Sequence, residues 1–110
     1  MAREARQEAF AAAWAEGILL IDVREPDEYA AGHVPGARLM PLRTVPAGCG
    51  ELPTDRPVYV ICASGNRSRT AADWMASRGI DAWSVAGGTL AWAGDGRPVA
   101  VGHDERAARP

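Results

Sequence analysis

Short apolar runs alternate with stretches of helical spacing along this chain, and the alternation predicts the elements. Residues 3 to 16 put Ala5, Ala9, Ala13, Phe10 and Trp14 at helical intervals among charged residues, with Gly17 as a stop, which predicts an amphipathic first helix. "ILLIDV" at 18 to 23 is almost continuously apolar, as a strand buried on both faces requires, and Asp22 and Arg24 mark its polar C-terminal end. "EPDEYAAG" sets Pro26 in a first turn beside Asp27 and Glu28 and predicts a short helix ending at Gly32. Residues 38 to 42 suit a brief strand, whereas three prolines and two glycines make 41 to 56 mostly loop. "PVYVI" at 57 to 61 is the clearest strand. From about Arg67 to Arg78, Ala71, Trp74 and Met75 recur at helical spacing and Gly79 closes that helix. "DAWSV" at 81 to 85 reads as a strand, and "AGGTLAWAG" as a Gly-Gly turn opening a short helix.

Strands alternating with helices imply right-handed crossovers and an α/β fold: a central parallel sheet of four to five short strands with helices on both faces. The 110 residues, 47% of them hydrophobic, provide one core, so a single domain over 1–100 is expected, followed by a loose C-terminal tail over 101–110. A net charge of -2 gives no basic field for nucleic acid, and no apolar run approaches membrane length. The charged N-terminus has no core of signal-peptide length, which points to the cytoplasm, where Cys49 and Cys62 stay thiols.

The chemistry concentrates at Cys62, directly after the strand at 57 to 61, where open parallel sheets gather their ligands. Ala63, Ser64, Gly65 and Asn66 are small or turn-forming, so the loop can curl its N–H groups inward toward the start of the next helix. Those amides, the helix terminus and the charge of Arg67 all favour thiolate over thiol. The same cradle suits a small oxyanion or an anionic second sulfur. Ser68, at the helix start, completes the candidate substrate-binding set. Asp22 and Arg24 are read as support, Asp22 fixing a neighbouring arginine or backbone amides. The two cysteines and two histidines show no paired ligand spacing, so neither metal nor cofactor is expected. Arg69 reads as solvated, Cys49 as a bystander rather than a resolving thiol, Trp74, Trp83 and Trp92 as packing, and Gly87 and Gly88 as a tight turn.

Three segments resemble the single-domain rhodaneses, a sulfurtransferase family: "LLIDVREPDEYAAGHVPGA" at 19 to 37, "VYVICASGNRS" at 58 to 68 and "SVAGGTLAW" at 84 to 92. The resemblance covers nearly the whole chain. It implies that Cys62 carries a persulfide, taking sulfur from thiosulfate or a related donor and passing it to cyanide, a thiol or a protein thiol, with His33 architectural. Related phosphatases and arsenate reductases of the same fold place five residues between cysteine and arginine, whereas Ala63 to Asn66 are four. The shorter loop favours sulfur over a small phosphatase or arsenate reductase activity. A non-catalytic regulatory or binding module is the other alternative, and the intact Cys62 and Arg67 count against it. Many single-domain relatives carry a charged or larger residue where Ala63 stands, which leaves the donor open. Family members often begin with a short strand before the first helix, and because this chain reads as starting almost in the helix, the sequence leaves the presence of that edge strand open.

Overall fold

The computed structural model describes residues 2–103, and it contains one parallel sheet of five strands in the order β1-β5-β4-β2-β3. The strands are β1 (Arg3–Ala5), β2 (Leu19–Asp22), β3 (Arg38–Leu39), β4 (Val58–Ile61) and β5 (Ala82–Val85). The helices are α1 (Gln7–Ala15), α2 (Pro26–Ala31), α3 (Val45–Gly48), α4 (Asn66–Ser77) and α5 (Gly88–Gly94).

Because successive strand residues face opposite ways, each central strand divides its side chains between two cores. Ile21, Val58, Val60 and Ala82 pack with Ala71, Ala72 and Met75 of α4 on one face. Leu20, Ile61 and Val85 pack with Phe10 of α1, Tyr29 of α2 and Trp92 of α5 on the other. Both faces of the sheet are thus covered, which explains why β2 and β4 read as continuous apolar runs rather than alternating ones.

The first strand corrects the sequence reading. Arg3–Ala5 is a strand, not the first turn of a helix: it pairs in parallel with β5 through Arg3 with Trp83, Glu4 with Ser84 and Ala5 with Val85. Its partners lie some eighty positions away, so local alanine spacing could not report them. The segment 41 to 56 also differs from an open loop. Two three-residue 3-10 turns, Leu42–Thr44 and Cys49–Glu51, flank α3, and Val45, Cys49 and Leu52 are buried in the α4-side core. Cys49 is accordingly a packing residue. Trp92 is fully buried, but Trp74 is 39% exposed and has the Arg78 guanidinium over its ring, so it is not a core residue.

Near the chain's end, Ala100 is buried and exchanges two backbone hydrogen bonds with His33, while the Gly102 amide donates to the Ala30 carbonyl. Of the expected tail, residues 104–110 lie outside the described residues. No helix among the described residues is long and apolar enough to cross a membrane.

Candidate active site

Cys62 follows the central strand β4 and is 1% exposed. The starts of α4 and α5 fix its surroundings. Gly65, at φ 112, turns the loop into α4 in a backbone conformation that a side chain would strain, and its N–H donates to the Cys62 sulfur at 3.1 Å. Ser68, in the first turn of α4 and fully buried, places its hydroxyl 3.4 Å from the same sulfur. Behind it stands Ser84 of β5, also buried, with its hydroxyl 2.8 Å from that of Ser68.

The three groups form a relay whose polarity can reverse. With Cys62 as a thiol, S–H donates to Ser68, and Ser68 donates to Ser84. With Cys62 as a thiolate, both hydroxyls turn, so that Ser84 donates to Ser68 and Ser68 to sulfur. Burial pushes the Cys62 thiol up, but the hydrogen bonds outweigh it. The Ser68 hydroxyl and the Ser68, Gly65 and Ser64 amides together hold the pKa below that of an ordinary thiol. These donors sit at the N-terminus of a twelve-residue helix, whose dipole favours the anion as well.

Ser68→Ala is therefore expected to shift the midpoint of Cys62 alkylation upward in pH, since it removes the side-chain donor and orphans Ser84. A profile identical to that of the wild type would take Ser68 out of thiolate stabilisation.

The C-terminal motif supports the loop from below. The Thr89 amide donates to the Cys62 carbonyl at 2.9 Å and the Leu90 amide to the Ala63 carbonyl at 3.0 Å, so α5 holds the loop by two of its own unpaired N–H groups. The approach is close enough that a Cβ on Gly88 would lie 2.5 Å from both carbonyl oxygens. The Gln7 carboxamide in turn donates to the carbonyls of Ala86 and Gly88, at 2.7 and 3.2 Å. Gly87 and Gly88 thus serve backbone approach.

Arg67 departs from expectation. Its guanidinium forks onto Glu28 of α2, Nη1 to Oε1 at 2.7 Å and Nη2 to Oε2 at 2.9 Å. The donors in direct contact with the thiol are Ser68 and the loop amides, as expected of the amides, while Arg67 acts on it only as a nearby charge. Glu28 is itself pinned, because Oε1 also accepts the Glu25 N–H at 3.0 Å in the capping box that opens α2. The Arg67 guanidinium holds the Glu28 carboxyl at about 2, well below the usual carboxylate range, so this pair stays ionised at neutral pH.

Asp22 and Arg24 form the support expected of them. Asp22 is fully buried and accepts the Arg24 backbone N–H at 3.0 Å and its guanidinium at 2.9 to 3.2 Å; Arg24 Nη2 also donates to the Gly32 carbonyl at 2.7 Å. The pair thereby ties the end of β2 to the end of α2. His33 is fully buried, stacked on Tyr29 with ring centroids 3.6 Å apart, and bonded through Nδ1 to the Tyr29 carbonyl at 2.7 Å. Arg69 pairs with Glu4 at 3.1 Å on the surface. Ser64 and Asn66 form the exposed rim of the loop, with Ala63 half-buried between rim and sulfur.

Two site residues escaped the sequence reading, Ser84 and Glu28. A hydroxyl at an inward-facing position of the otherwise apolar β5 was the available signal for Ser84; for Glu28 the capping-box spacing was visible, but its partner across the fold was not. A groove of about 480 Å³ lined by Leu42, Val45, Trp74 and neighbouring residues runs along α4, and no residue of the cysteine loop lines it.

The Rhodanese-like domain family matches residues 5–95. A sulfurtransferase of Allochromatium vinosum is 38% identical over 85 residues, covering 76% of this chain and 79% of the relative. A rhodanese-related protein from Thermoplasma volcanium superposes with a TM-score of 0.84 at 28% identity, covering 90% of this chain and 98% of that one. A rhodanese-like domain protein from Staphylococcus aureus gives a TM-score of 0.76 at 30% identity, covering 82% and 90%. With a buried, hydrogen-bonded cysteine at the end of the central strand and the family match spanning most of the fold, this chain belongs to the rhodanese-like domain family and is related to its sulfurtransferases.

Proposed function

We propose that this protein is a sulfurtransferase that moves a sulfane sulfur from a donor of the thiosulfate type to cyanide or a thiol through a persulfide on Cys62. The observation that carries this reading is the sulfur's setting: a buried Sγ at the start of α4, held by the Ser68 hydroxyl and the Gly65 amide and acidified by them. A thiolate so placed is a nucleophile at neutral pH.

In the first step the Cys62 thiolate attacks the outer sulfur of the donor. With thiosulfate, a Cys62 S–S bond forms, the donor's S–S bond breaks, and sulfite leaves with the bonding pair while the negative charge stays on the transferred sulfur. In the second step cyanide or a thiolate attacks that outer sulfur and restores the Cys62 thiolate. The reading is supported by the donors that stabilise the thiolate, the Ser64, Gly65 and Ser68 amides and the Ser68 hydroxyl, since a cradle of this kind suits a persulfide anion as well.

The phosphatase or arsenate reductase reading is disfavoured by the commitment of Arg67 to Glu28, since a tetrahedral oxyanion needs that fork for itself. Steady-state kinetics test the proposal. Varying donor and acceptor should give the parallel double-reciprocal lines of a ping-pong reaction; intersecting lines would contradict the covalent route, and Cys62-dependent hydrolysis of an aryl phosphate faster than sulfur transfer would contradict the reaction class.

A further inference from the structure

We infer that Glu28 is a specificity-determining residue: by holding Arg67 in a closed ion pair beside the cysteine loop, it selects against dianionic sulfur donors and in favour of donors that carry one negative charge or none, such as thiol persulfides. The inference rests on the sulfur-transfer reading above and deepens it.

Three ion pairs involve the segment from the end of β2 through α2, and one of them reaches the cysteine loop's own arginine. Arg67 is forked onto Glu28 at 2.7 and 2.9 Å, Arg24 onto buried Asp22 at 2.9 Å, and Arg43 faces Glu25 at 3.5 Å. Each of these cations is matched by a carboxylate, so the pairs supply no surplus positive charge of the kind a dianion would need. Ala63, directly after the nucleophile, adds no charge. Glu28 cannot swing aside freely, because the oxygen that takes Arg67 also caps α2.

The remaining attraction for an anion comes from amide and hydroxyl donors converging on one sulfur, which suits a single charge spread over a sulfane sulfur. A thiol persulfide R–S–SH meets that requirement. The Cys62 thiolate attacks its outer sulfur, a new S–S bond forms, the donor S–S bond breaks, R–S⁻ leaves with the bonding pair, and the proton stays on the transferred sulfur.

The test compares two donors that share geometry and differ by one unit of charge, thiosulfate and methanethiosulfonate, with cyanide as acceptor and the full chain as enzyme. The wild type is expected to favour methanethiosulfonate. Glu28→Gln keeps the capping hydrogen bond and removes the charge, so it should raise the thiosulfate-to-methanethiosulfonate ratio of kcat/KM about fivefold at low salt, chiefly through a lower KM for thiosulfate. An unchanged or lower ratio in folded Glu28→Gln overturns the inference.

The wild type provides a second readout that needs no variant. Its kcat/KM for thiosulfate should stay flat or rise between about 20 and 300 mM salt, because screening removes no net attraction. A steep fall would reveal an unmatched positive mouth and overturn the inference. If mass spectrometry shows Cys62 loaded but the donor ratio unmoved, the role of Glu28 falls alone. If neither donor loads Cys62, the sulfur-transfer reading falls and takes this inference with it.

Discussion

Asp22→Ala is expected to destabilise the protein by about 3–5 kcal/mol, the range found when one partner of a buried ion pair is removed. The size follows from what is left behind. Arg24 is 6% exposed, and without Asp22 its guanidinium keeps only the Gly32 carbonyl among the partners described. The Arg24 backbone N–H loses its acceptor in the same change, since Asp22 Oδ1 takes both. Because the pair binds the end of β2 to the end of α2, α2 should loosen as well, and with it Glu28 and Arg67. Urea unfolding measures this directly, and a loss below about 1 kcal/mol would mean that Arg24 finds water. Replacing both residues by apolar ones of similar volume should recover much of the loss, because the penalty lies in the unpaired charge rather than in the missing attraction.

Gly88→Ala is expected to impair the cysteine loop more than any other glycine substitution. Gly88 has φ +59, and its added Cβ would meet the Cys62 and Ala63 carbonyl oxygens at 2.5 Å. Those atoms are backbone, so the loop and α5 must separate. Separation breaks the hydrogen bonds from the Thr89 and Leu90 amides and shifts the sulfur relative to Ser68 and Gly65. A displacement of about 1 Å in a reacting group can lower a rate by about 100-fold, and a loss of that order in sulfur transfer is expected here. Stability should fall by about 2–4 kcal/mol, as for other overpacked and strained positions. Gly94→Ala is the control: nothing lies within 4 Å of its Cβ, and alanine is the better helix former, so neither rate nor stability should suffer. Equal effects at both positions would mean that the contact between α5 and the loop does not set the site.

Much of this architecture was legible from local pattern. β2 and β4 are buried on both faces and so appear as almost continuous apolar runs, and α4 shows its Ala71 and Met75 spacing in the open. The cysteine loop was legible too, because a strand end, small residues and a helix start stand next to one another in the chain.

What could not be read depends on partners distant in sequence. β1 is three residues long and becomes a strand only through its ladder to β5, so its own composition argues as well for helix. Arg67 and Glu28 are 39 positions apart and Ser68 and Ser84 are 16 apart, and nothing local announces either pairing. Sequence reasoning credited the loop amides, the helix terminus and the nearby Arg67 charge together. The fold keeps the amides, adds the Ser68 hydroxyl, and commits the arginine's hydrogen bonds to a carboxylate.

The central claim is that Cys62 carries the transferred sulfur, and intact-mass analysis tests it most directly. Incubation of the wild type with thiosulfate or methanethiosulfonate should add one sulfur atom, localised by peptide mapping to Cys62, lost on addition of cyanide and absent from Cys62→Ser. No adduct in the wild type with either donor, or an equal adduct in Cys62→Ser, would contradict the account.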